Sequence, residues 1–193
     1  MISDQYIGAA EAAAEAFESL GQPYCMIGGM ALPAWGRLRF THDVDFLLLA
    51  GAGSSPQLAG EVIRALRERG FAHMERADRK RIEGKLILFF YYPVKESGLS
   101  IRVDAILAEG PFNARVLDRR VRRRINDHET WVASCEDLIL LKLAAACPVD
   151  LADAKALVTR NATTLDRAHI ASWSAQLGLD ALWAEASRGE DAS

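Results

Sequence analysis

Residues 42–50 read HDVDFLLLA, two acids separated by one valine at the head of an otherwise apolar run. A run this short, carrying valine and phenylalanine, suits a buried strand. Side chains alternate along a strand, so Asp43 and Asp45 share one face while Val44 and Phe46 point to the other. Two carboxylates on one half-buried face repel each other, and each resists leaving water. Something must compensate them, and a hard divalent cation with oxygen ligands does this well.

The upstream segment adds a second constraint. Tyr24 to Ile27 is a short apolar run that ends at Gly28 and Gly29, the pattern of a strand entering a tight turn. The following MALPAWGRLRF is read as one short helix, with Pro33 in its first turn and Gly36 ending it. The paired glycines then precede a helix N-terminus. Free amides and the helix dipole favour an anion there, and the missing side chains let a phosphate approach closely.

Around this centre the chain alternates helical and extended patterns. Ser3 to Leu20 is a helix with Ile7, Ala10, Ala14 and Phe17 on one side, stopped by Gly21. GAGSSPQ is a loop, and PQLAGEVIRALRERG is an amphipathic helix with Leu58, Val62, Ile63 and Leu66 as its apolar stripe, closed by Gly70. Phe71 to Glu75 is a candidate short strand. Lys85 to Tyr92 and Leu99 to Leu107 are strands paired through the turn PVKESG, and the second carries Asp104 in apolar surroundings. The basic passage ARVLDRRVRRRIND is read as helical, and ETWV as an edge strand. Ser134, with Asp137 three residues on, forms an N-cap pattern, and four helical segments follow.

This order predicts an α/β chain of the α+β type, a mixed sheet flanked by helices with a helical C-terminal layer. The expected division is a catalytic domain over 1–133 and a helical subdomain over 134–193. With 193 residues, 50% hydrophobic and 25% charged, the chain can bury about two thirds of its unfolded surface and needs no disulfide or structural metal to fold. Cys25, Cys135 and Cys147 are odd in number and lack zinc-site spacing, so they read as small core residues in a reducing compartment. A net charge of -3 argues against a protein given over to wrapping nucleic acid. No apolar run approaches the roughly 20 residues that span a bilayer, and the N-terminus lacks the basic start and apolar stretch of an export signal. A cytoplasmic protein is expected, with no membrane and no DNA partner.

A third carboxylate turns the acidic pair into a candidate active centre. Three carboxylates can hold two magnesium ions about 4 Å apart, the arrangement of in-line phosphoryl or nucleotidyl transfer. GGMALPAWGRLRFTHDVDFLLL resembles the signature of the nucleotidyltransferase superfamily: paired glycines, a spacer, then Asp-x-Asp between apolar residues. Thirteen residues separate Gly29 from Asp43, and Arg39 and Thr41 match the R-x-T-x-D-x-D version of it. That version is similar to the minimal nucleotidyltransferases, the abortive-infection toxins, and the aminoglycoside and lincosamide nucleotidyltransferases. VDAIL supplies the third acid at Asp104, and SCEDLILLKLAAACPVDLADAKAL resembles the family's E-D-L-I-x-x-K-L block followed by D-x-x-D.

The resemblance implies the nucleotidyltransferase fold and an enzyme moving a nucleotide from an NTP, ATP among them, to an acceptor hydroxyl with release of pyrophosphate. By it Asp43, Asp45 and Asp104 hold Mg2+, or Mn2+ in its place, with Asp104 also helping to deprotonate the acceptor. Gly28, Gly29, Arg39, Thr41 and Lys142 hold the nucleotide, and Asp150 and Asp153 orient Lys142 or close the site. The acceptor is a small molecule or an RNA such as tRNA. A toxin–antitoxin enzyme acting on tRNA or protein is the alternative, and an inactive nucleotide-binding module a further one. A homodimer or an antitoxin partner is left open.

Blander readings stand beside these. Lys142 reads equally as a side chain snorkelling from an amphipathic helix, and Asp150 and Asp153 as acids starting a helix. The Arg119 to Arg124 run docks an RNA backbone or is a solvated face. His42, on the opposite face from Asp43, is assigned to packing, and Trp35, Trp131, Trp173 and Trp183 to core or subdomain contacts.

Overall fold

The computed structural model describes residues 3–51, 55–73, 79–82, 85–94 and 98–188. Helix α1 (Asp4–Ser19) leads through Gly21 into β1 (Tyr24–Ile27), the four-residue helix α2 (Gly28–Ala31) and a 3-10 turn (Leu32–Trp35). Strand β2 (Asp43–Leu49) and helix α3 (Ser55–Glu68) follow, then β3 (Arg79–Ile82), β4 (Lys85–Pro93) and β5 (Ser100–Ala108). Helix α4 (Pro111–Asp118) precedes the hairpin β6 (Val121–Ile125) and β7 (His128–Val132). Four helices follow among the described residues: α5 (Cys135–Ala145), α6 (Pro148–Arg160), α7 (Arg167–Leu177) and α8 (Asp180–Ser187).

The described strands form one seven-stranded mixed sheet in the order β3-β4-β5-β2-β1-β7-β6. β2 lies parallel to β5 and antiparallel to β1, and β4 and β5 are an antiparallel pair. Alternation along β2 decides what covers each face. Val44, Phe46 and Leu48 are fully buried, and Phe46 meets Phe17 of α1 at 5.3 Å and Tyr24 of β1 at 5.8 Å between ring centroids. Burying aromatic and aliphatic side chains of this size stabilises by about 1.5–3 kcal/mol each. The opposite face of β2 carries Asp43 and Asp45 at its open end.

The helical half is tied to the sheet by polar contacts. Ser134 caps α5, its hydroxyl accepting from the Asp137 amide at 3.1 Å and donating to the Asp137 carboxylate at 2.7 Å. His169 of α7 approaches the other Asp137 oxygen at 2.7 Å. The Trp35 indole donates to Ala133 O at 3.1 Å, and Asn161, which caps the C-terminus of α6, donates to Trp35 O at 3.2 Å. All four tryptophans pack partly buried against the core, as expected. No helix among the described residues is long and apolar enough to cross a membrane.

Several expectations are corrected. The helix after β1 begins at Gly28 itself, and Pro33 falls in the 3-10 turn; residues 37–42 are not helical. Helix α3 starts at Ser55, inside the expected loop. At Phe71 to Glu75 the described residues show only an isolated bridge, Ala72 to Tyr91, and 74–75 lie outside them. The turn expected at PVKESG falls partly outside them as well, at 95–97.

β3 was not anticipated. Arg122, Arg123 and Arg124 of the arginine run lie on β6 and Arg119 and Arg120 in the link before it, rather than on a helix, because α4 ends at Asp118 and β6 pairs with β7. β7 is therefore an inner strand beside β1, and β6 is the edge. Charged side chains on an edge strand suit solvent and discourage edge-to-edge pairing. Cys25 and Cys135 are buried, whereas Cys147 is exposed at the start of α6, and all three are free.

Candidate active site

The parallel register of β2 and β5 sets Asp43 opposite Arg102 and Asp45 opposite Asp104. β4 extends the same rows, with Tyr91 opposite Arg102 and Phe89 opposite Asp104. Directly opposed residues share a face, so the three acids, Arg102 and Phe89 all stand on one side of the sheet. Ligand oxygens from Asp43, Asp45 and Asp104 lie within 4.8 Å of one another. Asp104 is buried, and the other two acids are half-buried.

Crowding shows in the proton affinities. Burial, then the charges of Asp43 and Asp104, push the Asp45 carboxyl up to about 7, with Lys142 and Arg102 acting against the rise. Asp104 is also raised, chiefly by burial, although Arg102 pulls it down. A carboxyl cluster that holds a proton near neutrality lacks positive charge, and its donor set is three oxygen ligands of the kind hard divalent cations take. The residues fit such an ion.

The paired glycines serve the carboxylates. Gly28 has φ +65°, and a Cβ there would overlap the Asp45 carboxylate. A Cβ on Gly29 would lie 2.6 Å from Thr41 Oγ1 and 3.2 Å from Arg39 Nη2. Close approach is thus demanded by the protein's own side chains, a requirement that the sequence pattern did not show.

Thr41 belongs to the same arrangement, its hydroxyl donating to Asp43 Oδ1 at 2.9 Å. It orients an acid. Thr41→Val, which keeps the shape and removes that bond, is expected to lower turnover by about tenfold with little change in the unfolding midpoint. Steady-state kinetics alongside a thermal melt checks this, and unchanged turnover would remove Thr41 from the site.

A basic network borders the acids. Arg39 Nε donates to Asp153 Oδ2 at 2.8 Å, and Arg37 Nε reaches Asp153 Oδ1 at 3.5 Å. Lys142 Nζ lies 2.5 Å from Asp150 Oδ1 and 3.4 Å from Asp153 Oδ2. Asp153 is fully buried, and three cations around one such carboxylate satisfy it. Burial alone would raise Asp150, but the Cys147 thiol and then Lys142 outweigh it and hold the carboxyl below its ordinary value.

Arg37, Arg39 and Lys142 against Asp150 and Asp153 leave one net positive charge beside the acids. The network also ties residues 37–41 to α5 and α6. Arg37 was missed, although its spacing from Arg39 puts the two on one side of an extended segment while Leu38 and Phe40 are exposed.

Other marked residues lie apart from this cluster. Asn161, Trp35 and Ala133 brace the 3-10 turn, and His42 is exposed and sits edge-on to the exposed Phe40, 4.8 Å between ring centroids, outside the core. Of the arginine run, Arg119 pairs with Glu136 at 3.1 Å, Arg120 and Arg122 stack on Trp131, and Arg123 stacks on Trp35. The strand order puts β1 and β7 between β6 and the acids of β2.

Comparison with known proteins finds the same fold. A crystal structure of ANT(2'')-Ia in complex with adenylyl-2''-tobramycin superposes with TM-score 0.53 at 15% identity, covering 96% of this chain and 98% of that one. An antigenic nucleotidyltransferase-like protein from Paracoccidioides brasiliensis gives 0.53 at 16% identity, over 81% and 76%. A putative nucleotidyltransferase from Thermotoga maritima gives 0.51 at 13% identity, over 75% and 87%. No curated protein matches the sequence.

The fold is that of the nucleotidyltransferases. The model of the family described as nucleotidyl transferase AbiEii toxin, type IV TA system, matches residues 13–174, and the chain belongs to that family. It is an enzyme of the nucleotidyltransferase type.

Proposed function

We propose that this enzyme is metal-dependent and moves a nucleoside monophosphate from an NTP to an acceptor hydroxyl, releasing pyrophosphate. The observation that carries the reading is the convergence of three carboxylates within 4.8 Å beside the Gly28–Gly29 turn. Magnesium, or manganese in its place, held by Asp43, Asp45 and Asp104, would neutralise the polyphosphate and make the acceptor oxygen more acidic.

The protein's own groups do the rest. The first amides of α2, at Gly28 and Gly29, lack partners within the helix and receive phosphate oxygens. Arg39 and Lys142 add positive charge, and Asp150 and Asp153 hold those cations in place. Thr41 fixes Asp43. The acceptor oxygen attacks the α-phosphorus, a new P–O bond forms as the bond to the β-phosphate oxygen breaks, and pyrophosphate leaves. Asp104 takes the acceptor proton. Catalysis on this account is positioning and charge neutralisation. Residues 1–133 form the catalytic unit, and 134–193 a helical subdomain that supplies Lys142, Asp150 and Asp153. The setting is the cytosol, which the three unpaired cysteines support.

A second reading is a toxin whose acceptor is tRNA or protein. It is favoured by the family match and by Arg122, Arg123 and Arg124, exposed on the edge strand, where they offer a large acceptor a surface outside the catalytic row. An inactive module is disfavoured by the register of Asp104 with Asp45.

Each NTP, labelled at the α-phosphate, is incubated with the protein and Mg2+, with and without bulk tRNA, and pyrophosphate and labelled products are followed. Mg2+-dependent pyrophosphate release is expected. Label on tRNA selects the toxin reading, and no release from any NTP contradicts the proposal.

A further inference from the structure

Arg102 forms a two-pronged bond to Asp104: Nε donates to Oδ1 at 2.7 Å, and Nη2 to Oδ2 at 2.5 Å. Both oxygens of the third carboxylate are therefore engaged by the chain itself. The guanidinium is supported from β4, where its Cζ lies 4.5 Å from the Phe89 ring centroid. Register puts Arg102 directly beside Asp43. Its side chain is 44% exposed while that of Asp104 is 7% exposed, so the cation can turn towards the open side of the site and the carboxylate cannot. Fork geometry on a carboxylate over an aromatic face is a strong placement for arginine.

We propose that Arg102 is an internal counter-cation that competes with the divalent ion for Asp104, so that the ion loads fully only when nucleotide phosphates receive the displaced guanidinium. The inference rests on the metal-site reading above. An ion entering between Asp43, Asp45 and Asp104 needs an oxygen of Asp104, and gaining it breaks at least one prong of the Arg102 fork. The released guanidinium stays charged and needs an anion. The polyphosphate of an NTP is the anion that reaction brings to the site. Loss of the fork thus opposes ion binding to the empty protein and opposes it less when nucleotide is present, which is a coupling between the two ligands through one side chain. Arg102 acts here as a positioning residue, setting the order in which the site assembles.

Mn2+ affinity, measured by electron paramagnetic resonance with and without a non-hydrolysable NTP analogue, tests this on wild type, Arg102→Met, Arg102→Lys and Asp45→Asn. Arg102→Met is expected to tighten Mn2+ binding by about tenfold in the absence of nucleotide, the scale of one charge-assisted bond. The nucleotide analogue should improve Mn2+ affinity less in Arg102→Met than in wild type. Arg102→Lys, which keeps charge but loses the fork, should fall between them. Thermal melts establish that each variant is folded.

Mn2+ binding that depends on Asp45 but is unchanged or weakened by Arg102→Met would overturn the proposal and leave the metal site standing. Failure of wild type to bind Mn2+ under either condition would overturn both.

Discussion

Asp45→Asn is expected to abolish nucleotidyl transfer, by about a thousandfold or more for loss of a group that stabilises transition-state charge, and yet to give a more stable protein when metal is withheld. The cause is the cost of the cluster. Asp45 is held up to about 7 by burial and by Asp43 and Asp104, whereas its unfolded value is that of an ordinary aspartate. Between about pH 4 and 7 the folded chain keeps a proton that the unfolded chain has released. Stability of the metal-free wild type therefore falls as pH rises through that window and levels off above it.

The Asp45→Asn variant carries neither the charge nor the slope. At pH 8 it should be the more stable by up to about 4 kcal/mol, about three pH units at roughly 1.36 kcal/mol each. Urea unfolding from about pH 4.5 to 8.5 in EDTA reads the effect directly across the window in which the carboxyl titrates, and Mg2+ should recover stability in wild type but not in the variant. A wild-type curve without this downward slope, or a variant no more stable at pH 8, would show that the acids are comfortable as they stand.

Gly28→Ala combines two penalties at the opposite wall of the site. The backbone at Gly28 has φ +65°, which costs a residue with a Cβ about 1–2 kcal/mol. The new methyl group would also occupy the place of the Asp45 carboxylate. Asp45 is a short side chain on a paired strand and can move aside only by leaving the row it shares with Asp104. Misplacement by about 1 Å is enough to cost roughly a hundredfold in rate, so transfer should fall at least that far, with stability lower by about 1–3 kcal/mol. Gly29→Ala should do less. Its methyl would press on Thr41, which only orients Asp43. Kinetics and unfolding of the two variants side by side make the comparison, and equal losses would remove the distinction drawn between the glycines.

Much of this site is visible in the sequence because its logic is local. Alternation along β2 puts Asp43 and Asp45 on one face from their spacing alone, and the apolar setting of Asp104 marks it as a strand residue. The α5 cap is likewise readable from Ser134 and Asp137, whose contact spans three residues. What is not readable depends on pairings between distant segments. β3 has the sequence RKRI, with no apolar alternation to announce it. β6 is equally charged because it lies at an edge, where only one side needs to face protein. That β7 joins β1 in parallel is a matter of chain path, invisible to periodicity.

The same limit applies to the chemistry. Gly28 and Gly29 are recognisable as a turn that can receive phosphate, while their closer duty, making room for Asp45 and Thr41, needs the fold. Asp153 is readable as an acid near Lys142, but its two arginine partners lie at Arg37 and Arg39, more than a hundred residues away along the chain. Cys147 reads as a core residue by type. Its place at the start of α6, with its thiol 2.8 Å from Asp150, follows from Pro148 beginning the helix.

Crystals grown with Mn2+ and a non-hydrolysable NTP analogue, with diffraction collected at the manganese absorption edge, put the central claim to its most direct test. An anomalous peak coordinated by carboxylate oxygens of Asp43, Asp45 and Asp104, and shared with the phosphates of the analogue, is the expected result. Manganese bound elsewhere, or nucleotide seated without contact to those three acids, would contradict it.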